Sequence, residues 1–299
     1  MASYPPIVPE NGATFTSTIH KSSYPFLRTA KHLGHHILIT GGTRGIGRAI
    51  ALSFARAGAK AIAVADIAES PGQLIGDIAA AARENGHDAP QVVITRLDVT
   101  DEESVGKCAR YIESEFKGRL DILVNNAGFM TPALPISESD SGSWWQTMEV
   151  NLKGVYLMSK YFIPLLLSAP EGLRTMININ SVAAHNLRPM ASAYGTSKSA
   201  VLKLTEFLMA EAGSRGLLAY SVHPGAILTE LAEKGMPPET LPTLNDSVDL
   251  TGDTVAWLSS EKREWLAGRY LSCTWDMNEL LERQSEIVEG DKLKVRLVV

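Results

Sequence analysis

The chain has 299 residues, 28 Lys and Arg against 33 Asp and Glu, a net charge of −5, and a hydrophobic fraction of 45%. These proportions belong to a folded globular protein and exclude a disordered chain, a collagen and a coiled coil. The acidic balance also argues against a nucleic-acid partner, because neutralising phosphates requires a basic surface.

Residues 1–34 read as an irregular lead-in carrying Pro5, Pro6, Pro9 and Pro25. Residues 36–40 form a short apolar run that enters a glycine cluster, as a buried strand does. A helix follows over 46–58, with Ile46, Ile50, Leu52, Phe54 and Ala57 on its apolar face and Gly58 as its stop. Residues 61–65 are a second strand, closed by Asp66, and 71–85 a second helix ending at Gly86. A third strand lies at 91–95. The helix at 101–117 has an acidic first turn that complements its dipole. Residues 120–124 make a fourth strand, and 144–167 a long helix expected to be irregular near Pro164. The fifth strand is 175–179, the next helix 193–212 before Gly213, the sixth strand 218–222 and the seventh 268–273.

The strands are apolar throughout and alternate with helices. That pattern belongs to a parallel sheet covered on both faces, so the expected fold is α/β, a Rossmann-like doubly wound parallel sheet of about seven strands. Residues 230–265, with Pro237, Pro238 and Pro242, interrupt the rhythm after the sixth strand. An insertion there lies at the carboxyl edge of the sheet, where a substrate loop belongs. The tail, 276–299, is charged and has no assigned place. Two cysteines, Cys108 and Cys273, rule out a disulfide framework and suggest a reducing, cytoplasmic setting. No apolar stretch has the length of a membrane span, and no signal-peptide pattern precedes residue 35.

The turn Thr40-Gly41-Gly42-Thr43-Arg44-Gly45-Ile46-Gly47 joins the first strand to the first helix. Its glycines allow positive φ and close backbone approach, and the helix end beyond it favours a pyrophosphate. The spacing is neither G-x-G-x-x-G nor a P-loop. Asp66 lies where an acidic residue can accept hydrogen bonds from the adenosine ribose. Arg44 could instead pair with a 2′-phosphate or stand in solvent, but Asp66 would repel that phosphate and Ile67 follows it, so NAD is favoured over NADP.

Tyr194 and Lys198 are one helical turn apart and can converge on one ligand. A free phenol titrates near pKa 10, and a nearby ammonium would lower that value, making a general acid/base unit. Alone, this spacing is common by chance. Ser181 follows the fifth strand and Asn125-Asn126-Ala127-Gly128 the fourth, so several polar segments arrive at one crevice.

Taken in order, these motifs resemble the short-chain dehydrogenase/reductase family over residues 36–275. The matching residues are Thr40-Gly41, Gly45 and Gly47, Asp98-Val99, Asn125 to Gly128, Asn151, Ser181, Tyr194 with Lys198, and Pro224-Gly225 with Thr229. The resemblance implies an NAD(P)-dependent oxidoreductase that exchanges a hydride between a nicotinamide and a ketone or secondary alcohol. Tyr194 would be the proton donor or acceptor, and Ser181 would polarise the substrate oxygen. Lys198 would lower the Tyr194 pKa and bind the nicotinamide ribose, and Asn151 would hold a proton-relaying water. The cofactor would be contacted by Gly41, Thr43, Arg44, Gly45, Ile46, Gly47, Asp66, Ile67, Asp98, Val99, Asn125, Ala127, Gly128, Tyr194, Lys198, Pro224, Gly225, Ile227 and Thr229, with no metal. Asn180 replaces a serine common before the catalytic one.

His185, Met190, Trp144 and Trp145 can face a substrate or simply pack. The prolines and Met236 of the 229–246 loop favour a bulky apolar substrate. Residues 1–35 and 276–299 are extensions beyond the shared domain and resemble those of fungal secondary-metabolism enzymes. The helix from Tyr194 has Val201, Leu202, Leu204, Phe207, Leu208 and Met209 on more than one side, which suggests a homodimer or homotetramer. Two alternatives stay open on the same fold: a non-redox lyase, isomerase or cyclase that keeps its nucleotide, and a cofactor-sensing binding protein.

Overall fold

In the computed structural model, residues 12–68, 72–169 and 171–297 are described; residues 1–11 of the lead-in, Pro71 at the expected start of the second helix, and residues 298–299 of the tail lie outside them. Seven parallel strands form one sheet: β1 (His36–Thr40), β2 (Ala61–Asp66), β3 (Gln91–Arg96), β4 (Ile122–Asn125), β5 (Thr175–Ile179), β6 (Leu218–His223) and β7 (Tyr270–Ser272). Their spatial order is β3-β2-β1-β4-β5-β6-β7, so the direction of winding reverses between β1 and β4. Ligands of such sheets bind at the carboxyl ends beside that reversal.

Side chains alternate across a strand, yet β1 is apolar on both faces, which is why its sequence shows no polar alternation. Ile37 and Ile39 pack with α1 (Gly45–Arg56), α2 (Leu74–Glu84) and α8 (Val248–Leu258). Leu38 faces the other layer, α3 (Glu102–Glu115), α5 (Gly154–Ser168) and much of α6 (Ser192–Ala212). Each such fully buried Ile or Leu contributes about 1.5–3 kcal/mol.

Three expectations need correction. The long helix runs from α4 (Ser141–Met148) into α5, but its irregularity is a π-turn at Glu149–Lys153. Pro164 is accommodated within α5 because it and Lys160, four residues earlier, are on the solvent side, where a carbonyl that loses its amide partner is hydrated. The stretch 229–265 is not all loop: α7 (Glu230–Gly235) and the prolines lie at the carboxyl edge, whereas α8 is buried on every side. Gly252 lets α8 close on α1, since a Cβ there would meet Ser53 Oγ at 2.5 Å and Ala49 O at 2.7 Å.

The chain ends do not lie outside the core either. Leu27, Trp275, Met277, Leu280 and Ile287 belong to the same buried cluster as Ile37. The two ends also bind each other. The Ser17 amide donates to Glu279 Oε2 at 2.6 Å, His20 meets Asp276 at 2.8 Å, and the Tyr24 hydroxyl accepts from the Met277 amide at 2.7 Å. Lead-in and tail thus form one strap, the tail part through α9 (Met277–Glu282) and α10 (Gln284–Glu289). Asp253 on α8 anchors it further, accepting from Ser23 at 2.5 Å and from Arg28 at 3.1 Å. Among the described residues no helix is long and apolar enough to cross a membrane.

Candidate active site

The glycine turn is built by exclusion of side chains. Gly41 has φ +63°, and a Cβ on it would meet the Ala127 Cα at 3.0 Å. At Gly47 a Cβ would meet Gly41 O at 2.3 Å and Asn126 Nδ2 at 2.6 Å. Gly45, at φ +53°, borders open space. α1 begins here without a side-chain cap, so its first amides are offered to the cleft. An anionic diphosphate fits this cradle: positive backbone ends, no side chain in the way.

Asn126 fastens the turn to the end of β4, donating from Nδ2 to Thr40 O and Gly41 O, each at 2.9 Å. Asp66 accepts from the Thr43 amide at 3.1 Å and its hydroxyl at 2.6 Å. Arg44 pairs with Glu230 of α7, across the cleft. Asp98 closes its own loop, accepting from the Thr100 amide at 2.9 Å.

The cleft has a volume of about 710 Å³. Of the expected cofactor residues, Gly41, Arg44, Gly45, Ile46, Asp66, Ile67, Asp98, Val99, Ala127, Gly128, Tyr194, Lys198, Pro224 and Thr229 line it. Thr43 and Gly47 do not line it: Thr43 is bound to Asp66, and Gly47 is packed against Gly41 and Asn126. Asn125 does not line it: its side chain turns into the sheet and donates to Asn178 Oδ1 at 2.8 Å. Nor do Gly225 and Ile227, because Asp246 ties down the Ala226 amide at 2.6 Å and Ile227 is buried in a bridge to Asn245. Asn126, Phe129, Met130, Leu228 and Leu231 take part in the lining without having been singled out. Only Asn126, beside Asn125 in the same motif, carried a signal in the sequence.

Tyr194 and Lys198 sit in the first turns of α6, and Ser181 follows β5. Ser181 lies near enough to the Tyr194 phenol to draw its pKa down. Lys198 is buried, and its Nζ donates to the Ile179 carbonyl at 2.8 Å. Burial pushes the Tyr194 phenol up to about 12, against the pull of Ser181 and the Arg188 charge, and pushes the Lys198 ammonium down to about 8. The expected lowering of Tyr194 by Lys198 is therefore not the dominant effect in this geometry: Nζ is 5.6 Å from the phenol ring centroid and is engaged elsewhere.

Asn180 accounts for the departure from serine. Its Nδ2 donates to Lys198 O at 3.1 Å and to Ser221 Oγ at 2.7 Å, pinning the helix turn that carries the lysine. Asn151 lies in the π-turn. Its side chain is spent on the Phe129 amide and carbonyl, both at 2.8 Å, and on Ser197 Oγ at 3.0 Å. Asn151 is thus a staple for the loop after β4. Trp144 donates to Ser192 Oγ at 3.1 Å, while Trp145 is 62% exposed. Met190 is partly exposed at φ +66°, and His185 packs edge-on to Tyr270 at 4.6 Å.

The sequence pattern described as "short chain dehydrogenase" matches residues 35–239. The chain belongs to the short-chain dehydrogenase family. "Short chain dehydrogenase citE" of Monascus ruber is 47% identical over 298 residues, covering 97% of this chain and 99% of the relative. "Short chain dehydrogenase andI" of Emericella variicolor is 41% identical over 287 residues, covering 95% of this chain and 97% of the relative. Among solved structures, levodione reductase superposes with a TM-score of 0.71 at 25% identity, over 81% of this chain and 96% of that one. NAD⁺-bound xylitol dehydrogenase gives 0.68 at 25% identity, over 81% and 98%. The family and these neighbours support an oxidoreductase with a nicotinamide cofactor. This short-chain dehydrogenase matches the fungal relatives through both chain ends, so the strap lies within the aligned length.

Proposed function

We propose that this short-chain dehydrogenase interconverts a ketone and a secondary alcohol, uses NAD rather than NADP, and takes a bulky apolar substrate, with a role in fungal secondary metabolism. The observation that carries the reading is that Tyr194 and buried Lys198 line the same cleft as Asp66 and the glycine cradle, with Ser181 beside Tyr194 but outside the lining itself. When bound, the nicotinamide supplies or accepts the hydride. The chain's own residues do the rest.

In reduction, Ser181 and the Tyr194 hydroxyl both donate to the substrate oxygen, and Tyr194 gives up its proton as negative charge grows there. A phenol held near 12 stays protonated at neutral pH, ready to donate. Oxidation requires the phenolate, which an ammonium close to the phenol favours. Lys198 would supply that charge on exchanging its Ile179 contact for the ribose. Asn180 fixes the backbone around Lys198, and the π-turn carbonyl of Asn151 would hold the water that replenishes the proton.

The cofactor preference follows from charge. Asp66 is oriented by Thr43 at the end of β2, ready for ribose hydroxyls, and would repel a 2′-phosphate. Arg44, the cation that could offset this, is partnered by Glu230. Phe129, Met130, Val150, Leu228 and Leu231 give the cleft an apolar side. The exposed Tyr156 of α5 and Phe207 of α6 favour association through those helices into a dimer or tetramer, although the rest of the outer face of α6, with Ser199 and Lys203, is polar. Buried free thiols at Cys108 and Cys273 suit a reducing, cytoplasmic setting.

The test follows reduced-cofactor absorbance with a panel of bulky ketones and with NADH and NADPH in parallel. Stoichiometric consumption of NADH, with at least a roughly tenfold higher kcat/KM than NADPH, is expected, since each tenfold is only 1.4 kcal/mol. Turnover with no net change in the reduced cofactor would favour the non-redox reading. A preference for NADPH would overturn the assignment of Asp66.

A further inference from the structure

His223 ends β6 beside the site, and no step above uses it. Its backbone is locked into the sheet, opposite Ser272 of β7, with the Cys273 amide donating to its carbonyl at 2.9 Å. Its side chain has a different partner: the Val182 amide donates to Nδ1 at 3.3 Å. Val182 directly follows Ser181. Accepting at Nδ1 places the imidazole proton on Nε2. Burial, aided by the fields of His185 and Arg188, lowers the imidazole to about 3, so the accepting lone pair persists at neutral pH.

The Ser181 turn is held to α6 at its far end, where the Ser199 hydroxyl donates to Ala184 O at 2.5 Å, and its own bonds are local. Asn180 Oδ1 accepts from the Ser181 amide at 2.8 Å, and Ser181 Oγ accepts from the Ala183 amide at 3.2 Å. The last sheet bond before it joins the Asn180 amide to Val222 O at 2.7 Å. Beyond that point, His223 Nδ1 carries the turn onto β6.

An aromatic stack supports the imidazole. Tyr270 lies nearly parallel to it, at 13° with centroids 6.5 Å apart, and takes His185 on its edge. Trp275 meets Tyr270 at 5.9 Å, and the strap holds Trp275: Phe15 packs on it at 5.1 Å, and its Nε1 donates to Gly12 O at 2.9 Å.

We propose that His223 is a positioning residue that holds the Ser181 turn in register with Tyr194, and that the strap keeps it in place through Trp275 and Tyr270. The consequence for turnover rests on the reading of Ser181 and Tyr194 given above; the holding of the turn does not.

The test uses His223→Leu and His223→Asn in the full chain. Asn offers an Oδ1 acceptor close to the place of Nδ1, whereas Leu offers none. Three quantities are read: hydrogen exchange of the 180–187 segment, kcat with the best ketone, and the Kd of NADH. In His223→Leu, one lost buried hydrogen bond should speed exchange at Val182 and lower kcat, each by roughly 10- to 100-fold, with the Kd of NADH within about twofold. His223→Asn should recover most of both losses. Unchanged exchange in His223→Leu, or an Asn variant as impaired as the Leu variant, would overturn the proposal. If His223→Leu does not fold, fast exchange in a folded His223→Asn still overturns it. Should the wild type turn over no ketone, the exchange result still decides the holding contact, and the fault lies with the assigned chemistry.

Discussion

The glycine turn and the terminal strap are opposite ways of building part of one site. The turn is local: eight consecutive residues whose shape depends on what side chains are missing, with Gly41, Gly45 and Gly47 leaving room for backbone and ligand. The strap is long-range: residues more than 250 positions apart meet through side chains such as His20 with Asp276 and Tyr24 with Met277. The turn offers unsatisfied amides and is fitted to a charged ligand. The strap satisfies its polar groups within itself and on α8, and contributes buried area. Damage to the first should therefore appear in binding, and damage to the second in stability.

The largest effect is expected in the strap. Trp275 is fully buried between Phe15 and Tyr270, and truncating such a side chain costs about 3–5 kcal/mol. Trp275→Ala should lose that much in urea denaturation while the folded fraction binds NADH with near-normal affinity. A large loss of NADH affinity would break the contrast. The converse is Gly47→Ala, whose Cβ meets backbone at 2.3 Å. Forcing the turn apart should cost about 1–3 kcal/mol in stability, but the Kd of NADH should rise well over tenfold. An alanine variant that binds normally would mean that the cradle is not where the diphosphate sits.

The smallest effect separates the regions by pH. His32, in the lead-in, is fully buried with Nε2 on Ala256 O at 2.8 Å, and burial lowers its imidazole from 6.5 to about 4. The unfolded chain then takes up the proton first as the pH falls. Stability is complete above about 6.5, declines between 6.5 and 4, and loses no more from this group below 4. Replacing the residue, as in His32→Gln, should flatten that acid limb by roughly 1–2 kcal/mol in denaturation curves across the range. An unaltered slope would show that His32 does not titrate between the two states.

This contrast also explains what could be read in the sequence. The seven strands and the turn were legible because their signals are local: apolar runs bounded by glycine, and a phosphate cradle whose residues are adjacent in the chain. Ser181 lies near Tyr194, whereas Lys198, one helical turn on, turns its Nζ to the Ile179 carbonyl, a partner the local spacing does not name. Asn125 illustrates the limit. Two adjacent asparagines point opposite ways at the end of β4, and the pattern does not say which reaches the cleft. Asn151 was legible as a position, but not as a staple, because its partners Phe129 and Ser197 lie far along the chain. The π-turn, the burial of α8 and the union of the two ends are all tertiary outcomes, set by packing partners that no local window contains.

In the proposed reaction Tyr194 is the acid/base group of a nicotinamide-dependent oxidoreductase. The most direct test of that role is Tyr194→Phe, with turnover and cofactor binding measured on the same preparation. Removing one hydroxyl from a folded site should lower kcat by about 10²–10⁴-fold and leave the Kd of NADH within about twofold. A phenylalanine variant that turns over at the wild-type rate would contradict the acid/base role of Tyr194.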